Sequence, residues 1–260
     1  MKLKPGIGKK SRLIRAGEWC PCKLPRSTPL PPPAFTLIEL LVVIAIIALL
    51  AGLVLGGASI ASARMRTTRA QAELGALTTA IDAYKAKKGY YPPCNVSNNV
   101  VVTTKSSLFY ELTGVISALT NNNTSFHSQV SQENLTSLQV QFFFGTGGIL
   151  NSSPDATEIQ NFFTSMRKDQ YGSILINPNQ NPGPTYSVMT LSVHGPKDLT
   201  AGVTGSQIFN FWHYVSPNDV RPPQHNPDTY DLWTDILIAG KTNRISNWSK
   251  EPQIVNDWQD

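Results

Sequence analysis

Pro33-Ala34-Phe35-Thr36-Leu37-Ile38-Glu39-Leu40 opens the stretch that decides how the rest of this 260-residue chain is read. From Leu40 to Ala63 no residue is charged, and Leu, Val, Ile, Ala and Gly dominate until Arg64. At about 1.5 Å of rise per residue, roughly 20 such residues cross the ~30 Å hydrocarbon core of a bilayer. The run therefore predicts one membrane-crossing helical segment over residues 35–63. Glu39 sits just inside its entry. An acid there opposes insertion by about 2.5–3.5 kcal/mol at the helix centre and less near the end, which makes Glu39 the leading candidate for a functional residue.

Charge divides sharply at the start of this run. Residues 1–34 carry eight Lys/Arg against the single acid Glu18, a net of +7, whereas residues 35–260 carry fourteen Lys/Arg against sixteen acids, a net of −2. The basic balance is thus a property of the leading segment and gives no reason to expect nucleic-acid binding by the remainder. Positive flanks stay on the cytoplasmic side, so the carboxy-terminal part is expected outside. Cys20 and Cys22 fall in the leading segment, which leaves Cys94 alone in the rest and excludes an internal disulfide framework there.

Beyond the apolar run the pattern changes without a helix breaker. Ala70, Leu74, Leu77, Ile81 and Tyr84 recur at three- and four-residue spacing, with Arg66, Arg69, Glu73, Asp82 and Lys85 between them, the pattern of an amphipathic helix over 64–91. Lys85, Lys87 and Lys88 before Gly89 form a carboxy-terminal cap signal, and Pro92-Pro93 prevents continuation. One helix is expected from about Phe35 to Lys88. Gly52, Gly56 and Gly57 would let neighbouring helices approach closely, or weaken the helix locally.

The segment Ala34-Phe35-Thr36-Leu37-Ile38-Glu39-Leu40-Leu41-Val42-Val43-Ile44-Ala45-Ile46-Ile47 resembles the cleavage and methylation signal of type IV pilins and type II secretion pseudopilins. The family usually has Gly before the cut; here the small residue Ala34 stands there. The resemblance implies that prepilin peptidase removes residues 1–34 by cutting between Ala34 and Phe35, and that Phe35 is N-methylated. It also implies that Glu39 helps an incoming subunit dock by pairing with the free amino terminus of a neighbour. Two further stretches, Ala76–Pro92 with its Tyr84-Lys85, Gly89 and Tyr91-Pro92, and Tyr230–Trp248, are similar to the helix end and the carboxy-terminal loop of the major pseudopilin.

The resemblance implies an α+β, pilin-like fold, its long amino-terminal helix transmembrane then amphipathic, packed on an antiparallel β-sheet head over residues 92–260. Within the head, Leu108 to Leu119 shows a helical stripe and residues 155–168 read as a short helix. Residues 95–104 and 121–137, rich in Asn, Ser and Thr, read as loops. Phe142-Phe143-Phe144 reads as buried core. Strand-like runs occur at 171–176, 186–193, 208–215 and 232–238.

In the family the carboxy-terminal loop binds Ca²⁺ through oxygens. Asp231 and Asp235 are the acids available here, but Lys241-Thr242-Asn243-Arg244 stands where relatives supply acids, so an Asn/Thr-stabilised loop is expected and no metal ligand or other cofactor is assigned. His127, His194, His213 and His225 lack close ligand spacing. No phosphate-cradling Gly loop or nucleophile elbow is present, so no catalytic residue is assigned and an enzyme is not expected.

The leading expectation is a structural pseudopilin subunit of a type II secretion or related system. It would be held as a single-pass protein of the bacterial inner membrane with its head in the periplasm, in contact with membrane lipid, copies of itself, prepilin peptidase and the secretion assembly platform. A minor pilin of a type IV pilus or DNA-uptake system is the alternative in the same class. A membrane-anchored periplasmic enzyme or binding protein is the alternative in a different one.

Overall fold

The computed structural model describes residues 35–94, 96–97, 100–101, 106–120, 123–175, 185–196, 210–217 and 222–255, without the side chains of residues 53–59, 96–97, 100–101 and 120. The expected leader, residues 1–34, and with it Ala34, lies outside the described residues.

In chain order the elements are α1 (Leu37–Lys88), β1 (Val96–Ser97), β2 (Val100–Val101), α2 (Leu108–Thr113), β3 (Val115–Thr120), β4 (Asn123–Ser128), β5 (Asn134–Thr136), α3 (Ser137–Phe144), β6 (Ser152–Ser153), β7 (Tyr171–Leu175), β8 (Thr185–Leu191), β9 (Asn210–Phe211), β10 (His213–Val215), β11 (Asp231–Ile238), β12 (Lys241–Ser246) and β13 (Ser249–Ile254). The fold class is α+β, and among the described residues the strand pairings are antiparallel except for the short parallel contact of β3 with β6.

The chain divides into two compact units, Met1–Gly52 and Leu53–Asp260. In the first, the described residues are helical from Leu37, and their large apolar side chains are exposed: Leu37 81%, Ile44 56%, Leu49 66%. Among the described residues no helix is long and apolar enough to cross a membrane. The run expected to do so, 35–63, includes residues 53–59, whose side chains lie outside the described ones.

In the second unit the later part of α1 buries the expected stripe. Ala70, Leu77, Ile81 and Tyr84 are at most 1% exposed, and Leu74 packs against them. The helix stops where expected: Gly89 takes φ +88°, a left-handed conformation that suits glycine, and its N–H bonds the Lys85 carbonyl at 2.8 Å. Lys85 then lies 3.9 Å from the centre of the Tyr91 ring.

The head departs from expectation in several places. Residues 95–104, expected as loop, supply β1 and β2, which pair antiparallel. The helix expected over 108–119 ends at Thr113. Gly114 follows with φ +75°, and a Cβ there would meet Ile159 Cγ2 at 2.2 Å, so only glycine fits the break. The β-branched Val115-Ile116 beyond it then enters β3. Residues 121–137, expected as loop, supply β4 and β5, which pair antiparallel with β3 and with each other, before Thr136 starts α3.

No helix forms over 155–168, because side chains capture backbone donors locally. Asp155 Oδ1 accepts the N–H and hydroxyl of Thr157, both at 2.8 Å; Asn161 Oδ1 accepts the Phe163 N–H at 2.9 Å; Gln170 Oε1 accepts that of Arg167 at 2.9 Å. Finally, the expected carboxy-terminal loop is a meander. β11, β12 and β13 pair antiparallel in sequence, and β10 completes the sheet in the order β10-β11-β12-β13. Among the described residues β13 is therefore one edge of this sheet, β10 being the other, and it carries Lys250, Glu251 and Pro252.

The strand-like runs over 171–176, 186–193 and 232–238 appear as β7, β8 and β11 with small boundary shifts, and the run over 208–215 as β9 and β10, Ile208 itself lying outside the described residues. Phe143 and Phe144 are buried, stacking with or edging Tyr186, whereas Phe142 is 77% exposed and not core.

Candidate functional site

The amino end of α1 is built from a local reciprocal cap. Glu39 Oε2 accepts the Thr36 N–H at 2.8 Å and the Thr36 hydroxyl at 2.7 Å, and the Glu39 N–H donates back to Thr36 Oγ1 at 3.3 Å. This is a capping box, in which Thr36 precedes the first helical turn and Glu39 occupies its third position, satisfying donors that a helix start leaves free. The acid also faces the positive end of the helix dipole. Glu39 and Phe35 are both exposed, Phe35 by 77%. The Thr-x-x-Glu spacing that identifies the box is present in the sequence as Thr36-Leu37-Ile38-Glu39.

Farther along, α1 is tied to the head by acids that the sequence pattern placed elsewhere. Glu73, expected on the polar face, is 4% exposed. It pairs with Arg167 at 2.9 Å and Arg69 at 3.5 Å, and accepts the Ser192 hydroxyl and N–H. Asp169 joins the two arginines from the far side, at 2.6 Å to Arg69 and 3.2 Å to Arg167. Its neighbours Ala70 and Leu77, three and four residues away, show that Glu73 shares the buried stripe. Arg69, Glu73 and Arg167 line a groove of about 380 Å³, and with Asp169 paired to both arginines the two positive and two negative charges balance.

One turn before the end of α1, Tyr84 meets a second buried acid. Glu111 on α2 is fully buried and accepts the Tyr84 hydroxyl at 2.8 Å, the Leu150 N–H at 2.8 Å and the Asn151 N–H at 3.0 Å. Burial holds its carboxyl above the usual carboxylate range, opposed by those three hydrogen bonds. Burial and the adjacent Glu111 raise the Tyr84 hydroxyl as well. Glu133 collects hydroxyls from Tyr110, Ser131, Thr185 and Ser187 at 2.6–2.9 Å. Each network fixes a carboxylate among donors of the fold.

The two acids considered for calcium are engaged by the chain. Asp231 accepts the N–H groups of Gln224, His225 and Asn226 at 2.9–3.0 Å, with the His225 ring at 3.2 Å. Asp235 is 2% exposed and held bidentately by Arg244 at 3.0 and 3.1 Å, across a directly paired position of β11 and β12. Lys241–Arg244 is thus strand rather than loop, and its arginine is the partner of one of the acids.

His213 is buried and stacks on Trp233, and His225 stacks on Trp248 with ring centres 3.9 Å apart. His127 bonds Asn134, and His194 is exposed. Among the described residues no three His, Cys, Asp or Glu side chains converge on a metal position.

No family model matches the chain, and neither a curated protein nor a solved structure matches it.

Proposed function

We propose that this chain is a structural subunit of a pseudopilin-type filament, carried in the inner membrane by residues 35–63 and displaying residues 92–260 as a periplasmic head. The observation that carries the reading is the contrast within α1. Ala70, Leu77, Ile81 and Tyr84 are buried in the head, while Leu37, Ile38, Leu41, Ile44, Ile47 and Leu49 are each more than half exposed. A row of large exposed side chains of this kind is an interaction surface, and the charge-free sequence from Leu40 to Ala63 suits lipid before assembly and neighbouring helices after it.

Prepilin peptidase acts between Ala34 and Phe35 in this reading, and Phe35 receives the methyl group. The freed amine then lies beside Thr36 and the Glu39 carboxylate. Glu39 serves twice: its capping box holds the first turn of its own helix, and its charge receives the amine of an adjoining subunit. Repeated head-to-tail addition of copies, delivered by the secretion assembly platform, gives an open helical filament. The dense internal pairing of Glu73, Glu111, Glu133, Asp231 and Asp235 supports a structural head rather than a catalytic one.

Mass spectrometry of the amino terminus in assembled protein tests the reading. N-methylated Phe35 is the expected result. Assembled protein that retains residues 1–34 overturns it.

A further inference from the structure

The β11–β12 hairpin ends in a two-residue turn at Ala239-Gly240, closed by the Ile238–Lys241 pair. Both turn residues have positive φ, 49° and 78°, the backbone of a type I′ turn. Such turns favour Asn or Asp at the first position, so an apolar Ala there is unusual. Leu237 is 37% exposed, Ala239 and Gly240 are exposed, and Ile238 is partly so. The tip is therefore apolar where hairpin tips are ordinarily polar, and it is followed at once by the exposed cation of Lys241.

The fold fixes where this tip lies. Arg66 Nη1 donates to the Leu237 carbonyl at 3.3 Å. Arg66 is the third residue after the charge-free run ends at Ala63, following Arg64 and the 69%-exposed Met65. The hairpin tip is thus level with the first turn of α1 beyond the apolar run. Arg64, Arg66 and Lys241 are exposed there together. The acid nearest in sequence on the hairpin, Asp235, is buried in its pair with Arg244.

We propose that the tip 237–241 is a second membrane contact. In the unassembled subunit it dips into the head-side surface of the bilayer, with Leu237, Ile238 and Ala239 at the acyl boundary and Arg64, Arg66 and Lys241 on anionic phospholipid headgroups. This rests on the membrane-anchored reading given above. An apolar wedge rimmed by cations is the composition that binds an anionic interface. The contact sets the orientation of the head over the membrane and is surrendered when the subunit leaves the bilayer.

The test uses the full chain with Cys20, Cys22 and Cys94 replaced by Ser, reconstituted in mixed phosphatidylcholine–phosphatidylglycerol vesicles. A single nitroxide is placed by Ala239→Cys, by Leu49→Cys in the apolar run, or by Ala156→Cys in an exposed turn of the head, and its relative accessibility to oxygen and to a water-soluble nickel chelate is measured. The expected result is an oxygen-to-nickel ratio at 239 several-fold above that at 156, with 49 the most lipid-like. That ratio should fall toward the value at 156 in pure phosphatidylcholine or with Lys241→Glu. A lipid-like label at 49 with a label at 239 as wet as that at 156 overturns this inference alone. A wet label at 49 overturns the anchored reading with it. Shielding at 239 that rises with protein concentration in detergent without anionic lipid means the tip packs on another copy, and the lipid assignment is then wrong.

Discussion

Tyr84 of α1 donates its hydroxyl to the fully buried carboxylate of Glu111 at 2.8 Å, and the same carboxylate receives the N–H groups of Leu150 and Asn151. The last turn of the long helix is thereby fastened to the segment that follows α3 through one acid. The acid is desolvated, so its value to the fold depends on keeping each of its donors.

Tyr84→Phe removes one donor and leaves the ring in place. A buried acceptor deprived of its partner costs about 1–3 kcal/mol. Urea unfolding of the detergent-solubilised chain should show a loss of that size with an unchanged denaturant slope. A loss below about 0.5 kcal/mol, the lower end of a net hydrogen bond, means water replaces the hydroxyl.

Glu111→Gln should flatten the dependence of stability on pH. Burial raises the folded-state carboxyl above its unfolded value. Between those two values the folded chain holds more protons than the unfolded chain, so this residue's contribution is greatest in acid and is lost as pH rises through the folded value. Wild type minus Glu111→Gln, measured by urea unfolding from pH 4 to 7, should therefore slope downward with increasing pH. Parallel curves would remove Glu111 as the source.

Arg244→Ala leaves Asp235 buried without its bidentate partner. The arginine side chain is 17% exposed and the aspartate 2%, so the pair is only slightly screened. Breaking such a pair from one side costs about 3–5 kcal/mol, whereas replacing both members by apolar residues of similar volume recovers most of that. Thermal unfolding of Arg244→Ala and of Asp235→Leu/Arg244→Met should show that order. Equal losses would mean the pair contributes through shape and not charge.

Glu39→Gln separates the two roles assigned to Glu39. Gln can close a capping box, as it does in this chain at α3, where Thr136 and Gln139 bond each other reciprocally at 2.8 and 3.3 Å. Glu39→Gln keeps the cap and removes the charge; Glu39→Ala removes both. Both variants should insert in the membrane normally and enter sheared filaments less than wild type. Wild-type incorporation of Glu39→Gln would leave capping as the residue's whole contribution.

The parts of the fold legible in the sequence are those where one periodicity runs long without interruption. The stripe from Ala70 to Tyr84 and the stop at Gly89 were readable because burial and capping act on the helix itself. Leu108–Leu119 misled because Gly114 is required by Ile159, a neighbour forty-five positions away that no local pattern reveals. Lys241–Trp248 misled because its strand β12 is largely polar and half-exposed, held by register with β11 rather than by an apolar alternation of its own. Of the candidate site, Thr36 and Glu39 were both in view, and their spacing identifies the box. Glu73 and Glu111 were not, since their partners Arg167, Ser192, Leu150 and Asn151 arrive only through tertiary structure.

The composition of β13 bears on how copies can associate. Pro252 has no N–H to offer a passing strand, and Lys250 and Glu251 would have to surrender their hydration to admit one. Ribbon-like fusion of heads along that rim is thereby discouraged, even among molecules crowded side by side. In the filament proposed above, an unreceptive β13 leaves the exposed apolar side chains of α1 as the favoured place for copies to meet, so that a stray strand pairing along this rim does not compete with it.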